Sequence, residues 1–161
     1  MSVFSFHGYT MRSARREDLE LAERWTRADP EHPTLRGEFW LLQEAFAGIE
    51  SFLVEDKIGP VVFVKVVMVR NAVLQPQAEL HLLFSPLPIS AGERADRNCR
   101  TMNAMMEIYP WIEKALAQRK AKAVFFLSKS KALIQFTEKR LGFVKGAENE
   151  RGEWKMVRNL I

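Results

Sequence analysis

The sequence predicts a single α/β (α+β) domain over residues 1–161, with a mixed central sheet of about six to seven strands flanked by helices on both faces. Three observations carry this. Residues 61–69 form a β-branched run of the kind that builds a buried strand. Residues 78–84 alternate, with Leu80, Leu82 and Phe84 on one face and Glu79, His81 and Leu83 on the other. From there the chain reads strand, helix, strand, helix, which requires partly parallel pairing under covering helices.

The elements follow in order. Residues 9–15 read as a first strand. Glu17 and Asp18 then stand at a helix start, where acidic groups complement the dipole. Leu19, Ala22, Trp25 and Ala28 recur at helical spacing until Asp29-Pro30 and His32-Pro33 break the pattern. A second helix is expected from Leu35, with Phe39, Leu42 and Phe46 on one stripe and Gly48 as its stop. Residues 49–55 are a strand, and Asp56-Lys57-Ile58-Gly59-Pro60 is turn chemistry.

After the strands at 61–69 and 78–84, Pro86, Pro88 and Gly92 mark a loop. A long helix is expected next, with Cys99, Met102, Met105, Met106, Tyr109, Ile112 and Leu116 on its apolar stripe and Pro110 kinking or splitting it. Residues 123–127 are short and wholly apolar, as a central strand requires. Ser128 or Ser130 caps a helix carrying Leu133, Ile134 and Phe136, which Gly142 ends. Two short strands close the chain, at 143–145 and 154–157.

Composition narrows the function classes. Apolar residues make up 47% and charged residues 27%, an ordinary globular balance. The one cysteine excludes an internal disulfide framework. His7, His32 and His81 are too widely spaced for a metal-ligand pattern, so no metal is expected. No apolar run is long enough to cross a membrane, and Met1-Ser-Val-Phe-Ser-Phe lacks signal-peptide character, so a cytoplasmic location is expected. The net charge of +4 suits solubility or an anionic ligand. Arg12, Arg15, Arg16, Arg119, Lys120 and Lys122 are scattered without interleaved aromatics, which argues against nucleic acid. The oligomeric state is open, a homodimer included.

The element order, with Phe136-Thr-Glu-Lys-Arg-Leu-Gly-Phe143 closing the last helix, resembles the GNAT superfamily of N-acetyltransferases. The motif is similar to the family's aromatic-x-x-x-x-Leu-Gly-Phe ending. The resemblance implies transfer of an acetyl group from acetyl-CoA directly to an amine, on a small molecule or a peptide. It implies that acetyl-CoA lies between the strands at 78–84 and 123–127, against backbone groups of Leu82, Leu83 and Phe84. The phosphates would meet the start of the long helix, at Arg94, Arg97, Asn98, Arg100 and Thr101, with Lys129 near the adenosine phosphate. Glu79 and His81 are the candidate bases, sharing one strand face with a group that titrates near neutrality.

The sequence departs from the family pattern twice. Arg97 stands at the Arg/Gln position of the phosphate loop, but Arg100 and Met102 occupy the following glycine positions; with Arg94 first, Arg97 and Cys99 do. Glu138 stands where a tyrosine usually protonates the leaving thiolate. These departures support an alternative: a catalytically degenerate GNAT-like binding or structural module, for instance of phage or prophage origin.

Overall fold

Strand β4 (Pro60–Arg70) sits between β3 (Ile49–Glu55) and β5 (Pro76–Phe84), antiparallel to both, and this trio forms the centre of the sheet. Residues 61–66 of β4 are all buried, because helices cover the sheet on both faces. The structure is a computed structural model that describes residues 4–160. Residues 1–3, where the chain start was read as lacking a signal peptide, lie outside the described residues, as does Ile161.

The sheet has eight strands, ordered β1-β2-β3-β4-β5-β6-β8-β7. The strand beyond those expected is β1 (Phe4–Phe6), which pairs with β2 (Tyr9–Ser13). At the other end β6 (Ala123–Ser128) pairs antiparallel with β8 (Trp154–Asn159), and β7 (Val144–Glu148) forms the edge. The β5–β6 pair is parallel, so the sheet is mixed.

On one face, even-numbered residues of β5 pack with Val62, Val64 and Val66 against α2 (Ala91–Gln118) and α3 (Lys131–Arg140). On the other face, Leu53, Phe63 and Leu83 pack against Ala22 and Trp25 of α1 (Leu19–Ala28) and against Trp40. The alternation read in residues 78–84 is therefore the division between two cores. Asp18 leads into α1 and is fixed by two hydrogen bonds from Arg12, each 2.8 Å, and one from the Arg15 N–H at 2.7 Å.

Three expectations change. The helix predicted from Leu35 is two short 3-10 turns, Gly37–Leu41 and Ala45–Ala47, with Phe46 fully exposed. The chain straightens between them because the Gln43 amide bonds both backbone groups of Ser51, as a strand neighbour would. The buried stripe of α2 is Thr101, Ala104, Met105, Ile108, Tyr109, Ile112 and Leu116; Cys99 is exposed, and Met102 and Met106 are about 40% exposed. Finally, of the kink or split expected at Pro110, the split does not occur: α2 runs through it unbroken. Pro110 and Met106, whose carbonyl it leaves unbonded, both lie on the exposed side, where water can take the bond.

Candidate functional site

The parallel pairing between β5 and β6 stops almost as soon as it starts. Only Ala78–Val124 and Glu79–Phe125 are in register. Beyond them β5 stays paired with β4 as far as Phe84, and β6 stays paired with β8 as far as Ser128. Each strand follows its own neighbour and the two diverge, which leaves the β5 edge from Leu80 to Phe84 without a β6 partner.

A cavity of about 550 Å³ occupies this gap. Its wall includes Glu79, His81, Leu35 and Phe39 from the α1 side, and Leu80, Leu82, Phe126 and Leu133 from the α2 and α3 side. Side chains from both faces of the sheet share one cavity, so it passes through the opening between the strands. Arg151 and Glu153, in the turn between β7 and β8, stand at its rim with Lys129.

The loop after α1 closes over the strand tips. Asp29 accepts from the Glu31 N–H and from His32 Nδ1, both at 2.8 Å, and so shapes the loop. Glu31 Oε1 accepts from Ser128 Oγ at 2.9 Å, the Lys129 N–H at 2.7 Å and the Ser130 N–H at 2.9 Å. The carboxylate thereby ties the loop to the end of β6 and the start of α3. Ser130, not Ser128, is the helix cap: its hydroxyl accepts from the Leu133 N–H.

Glu79 and His81 point into the cavity side by side, with Glu79 Oε1 3.4 Å from His81 Nε2. Both are half-buried. Burial pushes the Glu79 carboxyl up, partly offset by Lys155. Burial, reinforced by Lys65 and His32, pushes the His81 imidazole down to about 4. At neutral pH His81 is therefore an uncharged ring. The Phe39 ring stands edge-on to it, centroids 5.4 Å apart.

The remaining candidates lie at the start of α2 and are differently engaged. Arg97 leans over the Phe84 ring, donates to the Ser85 carbonyl, and gives a further bond to Asn98 Oδ1 at 3.0 Å. Arg100 makes a two-pronged pair with Asp56, each bond 2.8 Å. Thr101 is buried, its hydroxyl donating to the Arg97 carbonyl. Arg94 and Lys129 are exposed, with no side-chain partner among the described residues. Glu138 is exposed on α3, away from the cavity wall, and its neighbour Thr137 is buried and bonded within the helix.

These residues test the fit of acetyl-CoA. The unpaired β5 edge suits the amide-bearing pantetheine arm. The diphosphate end fits poorly: Pro86 and Pro88 carry no N–H to offer a phosphate, and Arg97 and Arg100 already have protein partners. No cluster of metal-ligating side chains occurs among the described residues. No helix is long and apolar enough to cross a membrane.

Sequence reasoning brought Glu79, His81, Leu82 and Lys129 to this cavity but not Arg151 or Glu153. The rim residues sit in a turn whose position depends on the β6–β8 pairing, and no local pattern marks them. The sequence mark of Lys65 is that it stands alone as a lysine inside the β-branched run at 61–69.

The arrangement is a mixed α/β sheet opened at one parallel pair, with a cavity running through the opening. No family model matches the chain, and no curated protein is similar to it in sequence. Solved structures are similar in fold. The ribosomal-protein-S5-alanine acetyltransferase of Vibrio fischeri superposes with a TM-score of 0.66 at 15% identity, over 99% of this chain and 97% of that one. The GNAT domain of PAT from S. lividans gives 0.63 at 13% identity, over 94% of this chain and 90% of that one. The putative acetyltransferase yncA of Salmonella typhimurium, solved with acetyl-CoA, gives 0.58 at 15% identity, over 96% and 95%. The fold is that of the GNAT acetyltransferases.

Proposed function

We propose that the chain is a divergent GNAT N-acyltransferase of the cytoplasm that moves an acetyl group from acetyl-CoA to an amine on a small molecule or peptide. The observation that supports this best is the cavity through the β5–β6 opening, with Glu79 and His81 facing it on the α1 side. A donor arm along the unpaired β5 edge would reach the opening from the α2 side and supply a thioester carbonyl. The acceptor would enter between the loop after α1 and the β7–β8 turn.

Within that reading the residues divide the work. Glu79 holds the entering ammonium close to His81. His81, uncharged at neutral pH, takes the proton that makes the amine a nucleophile. The new C–N bond forms as the C–S bond breaks, and the second amine proton passes to water. The departing thiolate leaves unassisted and is protonated by solvent. Arg94 and Lys129 supply charge for the donor's phosphates in place of backbone N–H groups.

A second reading rests on a specific observation. Pro86 and Pro88, with Arg97 and Arg100 held by Ser85 and Asp56, suit a GNAT-fold binding module that uses no CoA. Calorimetric titration with acetyl-CoA and with acetyl-pantetheine separates the two. The enzyme reading expects heat with acetyl-CoA, weakened by Arg94→Glu. Absence of binding to both at millimolar concentration would overturn it in favour of the binding module.

A further inference from the structure

Two charged side chains are buried among the described residues, Asp18 and Lys65. Asp18 is paired with Arg12. Lys65, 3% exposed in the middle of β4, has no carboxylate within ion-pair distance among the described residues. A buried ammonium without a partner is costly, and a methionine would fill the same space without the desolvation penalty.

What Lys65 touches is Phe39, twice. Its Nζ donates to the Phe39 carbonyl at 2.9 Å and lies 3.4 Å from the centroid of the Phe39 ring. One group thus fixes both the backbone and the ring of a residue that lines the cavity. That ring stands edge-on to His81 at an interplanar angle of 87°. Lys65 is also the direct cross-strand partner of His81 in the β4–β5 register. It therefore reaches the imidazole through Phe39 and directly across the ladder.

We propose that Lys65 is a positioning residue for His81: it pins Phe39 against the imidazole and sets its buried charge directly across the strand ladder from that ring. The role in catalysis rests on the proposed acyl transfer; the electrostatic coupling does not. The groups that face His81 are Lys65 on β4, Glu79 on β5, His32 in the loop after α1, and Arg151 and Glu153 across the cavity. Lys65, His32 and Arg151 oppose a charge on the ring, whereas Glu79 and Glu153 favour one. Burial of the ring adds to the opposition.

The test is an NMR titration of the His81 imidazole in the wild type, Lys65→Met and Lys65→Arg. Lys65→Met is expected to raise the midpoint by about one pH unit, a tenfold change in the imidazolium ratio. Lys65→Arg, which keeps the charge, is expected to hold it near the wild-type value. An unchanged midpoint in Lys65→Met overturns the proposal. If that variant does not fold, the Lys65 Nζ resonance of the wild type decides: a neutral amine at pH 7 overturns the coupling, and an ammonium supports it. In an acetyl-transfer assay the acid limb of the kcat/KM profile should move with the His81 midpoint. A slower Lys65→Met with an unmoved limb marks a packing role only and refutes the catalytic part. Absence of turnover in the wild type refutes the acyl-transfer reading, while the His81 titration still decides the coupling.

Discussion

Acidification should weaken this protein by a calculable amount through one side chain. His81 titrates at 6.5 as a free group and is pushed down to about 4 in the folded chain. The unfolded chain therefore takes up the proton first. The stability attached to the neutral ring is present above pH 6.5 and is lost as the pH falls towards 4. At about 1.4 kcal/mol per unit, the difference amounts to ~3 kcal/mol, most of it gone by about pH 4.5. His81→Gln removes the titrating group and leaves the carboxylates in place. Urea unfolding of both proteins across this range isolates the effect, because Glu79 and the paired aspartates contribute to each. The wild type should lose about 3 kcal/mol more than the variant. Parallel loss of stability in the two proteins would refute the reasoning, since it would mean that His81 protonates without cost in the fold.

Other perturbations have equally direct readouts. Burial raises the Asp18 carboxyl, but hydrogen bonds from Arg12 and the Arg15 N–H outweigh it and hold it below its usual range. Asp18→Asn removes the two-pronged partner of Arg12, which keeps Glu55, and should cost about 2 kcal/mol in urea unfolding at neutral pH. Gly142 has φ +73°, and a Cβ there would collide with Arg158 Nη1, which donates to the Leu141 carbonyl. Gly142→Ala should therefore cost about 2 kcal/mol and lower the thermal midpoint. Glu31→Ala removes the acceptor of the Lys129 N–H, while the Ser130 N–H keeps Ser128 Oγ; hydrogen exchange at Lys129 should quicken by about tenfold or more, with the β4 amides unaffected.

Most of the strand plan was legible in the chain because it is written in local periodicity. The alternation at 78–84 and the apolar run at 123–127 meet the same requirement wherever they are placed, namely a pleated surface covered by helices. Asp29-Pro30 and Gly142 stop their helices for backbone reasons that need no partner. The stripe of α2 was misread because its methionines recur at helical spacing on two adjacent faces. Only contact with the sheet buries Met105 and leaves Met102 and Met106 exposed. The helix from Leu35 failed because Gln43 bonds Ser51, a partner that sequence spacing does not announce.

The sequence by itself determined the class of fold and placed Glu79 and His81 together on one strand face, since residues two apart on a strand must share a side. Tertiary structure alone decided what that face looks onto. The β5–β6 pairing ends at Glu79 because each strand follows a different neighbour, and a cavity opens where it ends. Arg100 is tied to Asp56, 44 residues earlier, and Glu31 to Ser128, 97 residues later. Such pairs form when folding brings distant loops together, so charge and spacing along the chain could mark these residues as suited to a ligand without showing that the protein already holds them.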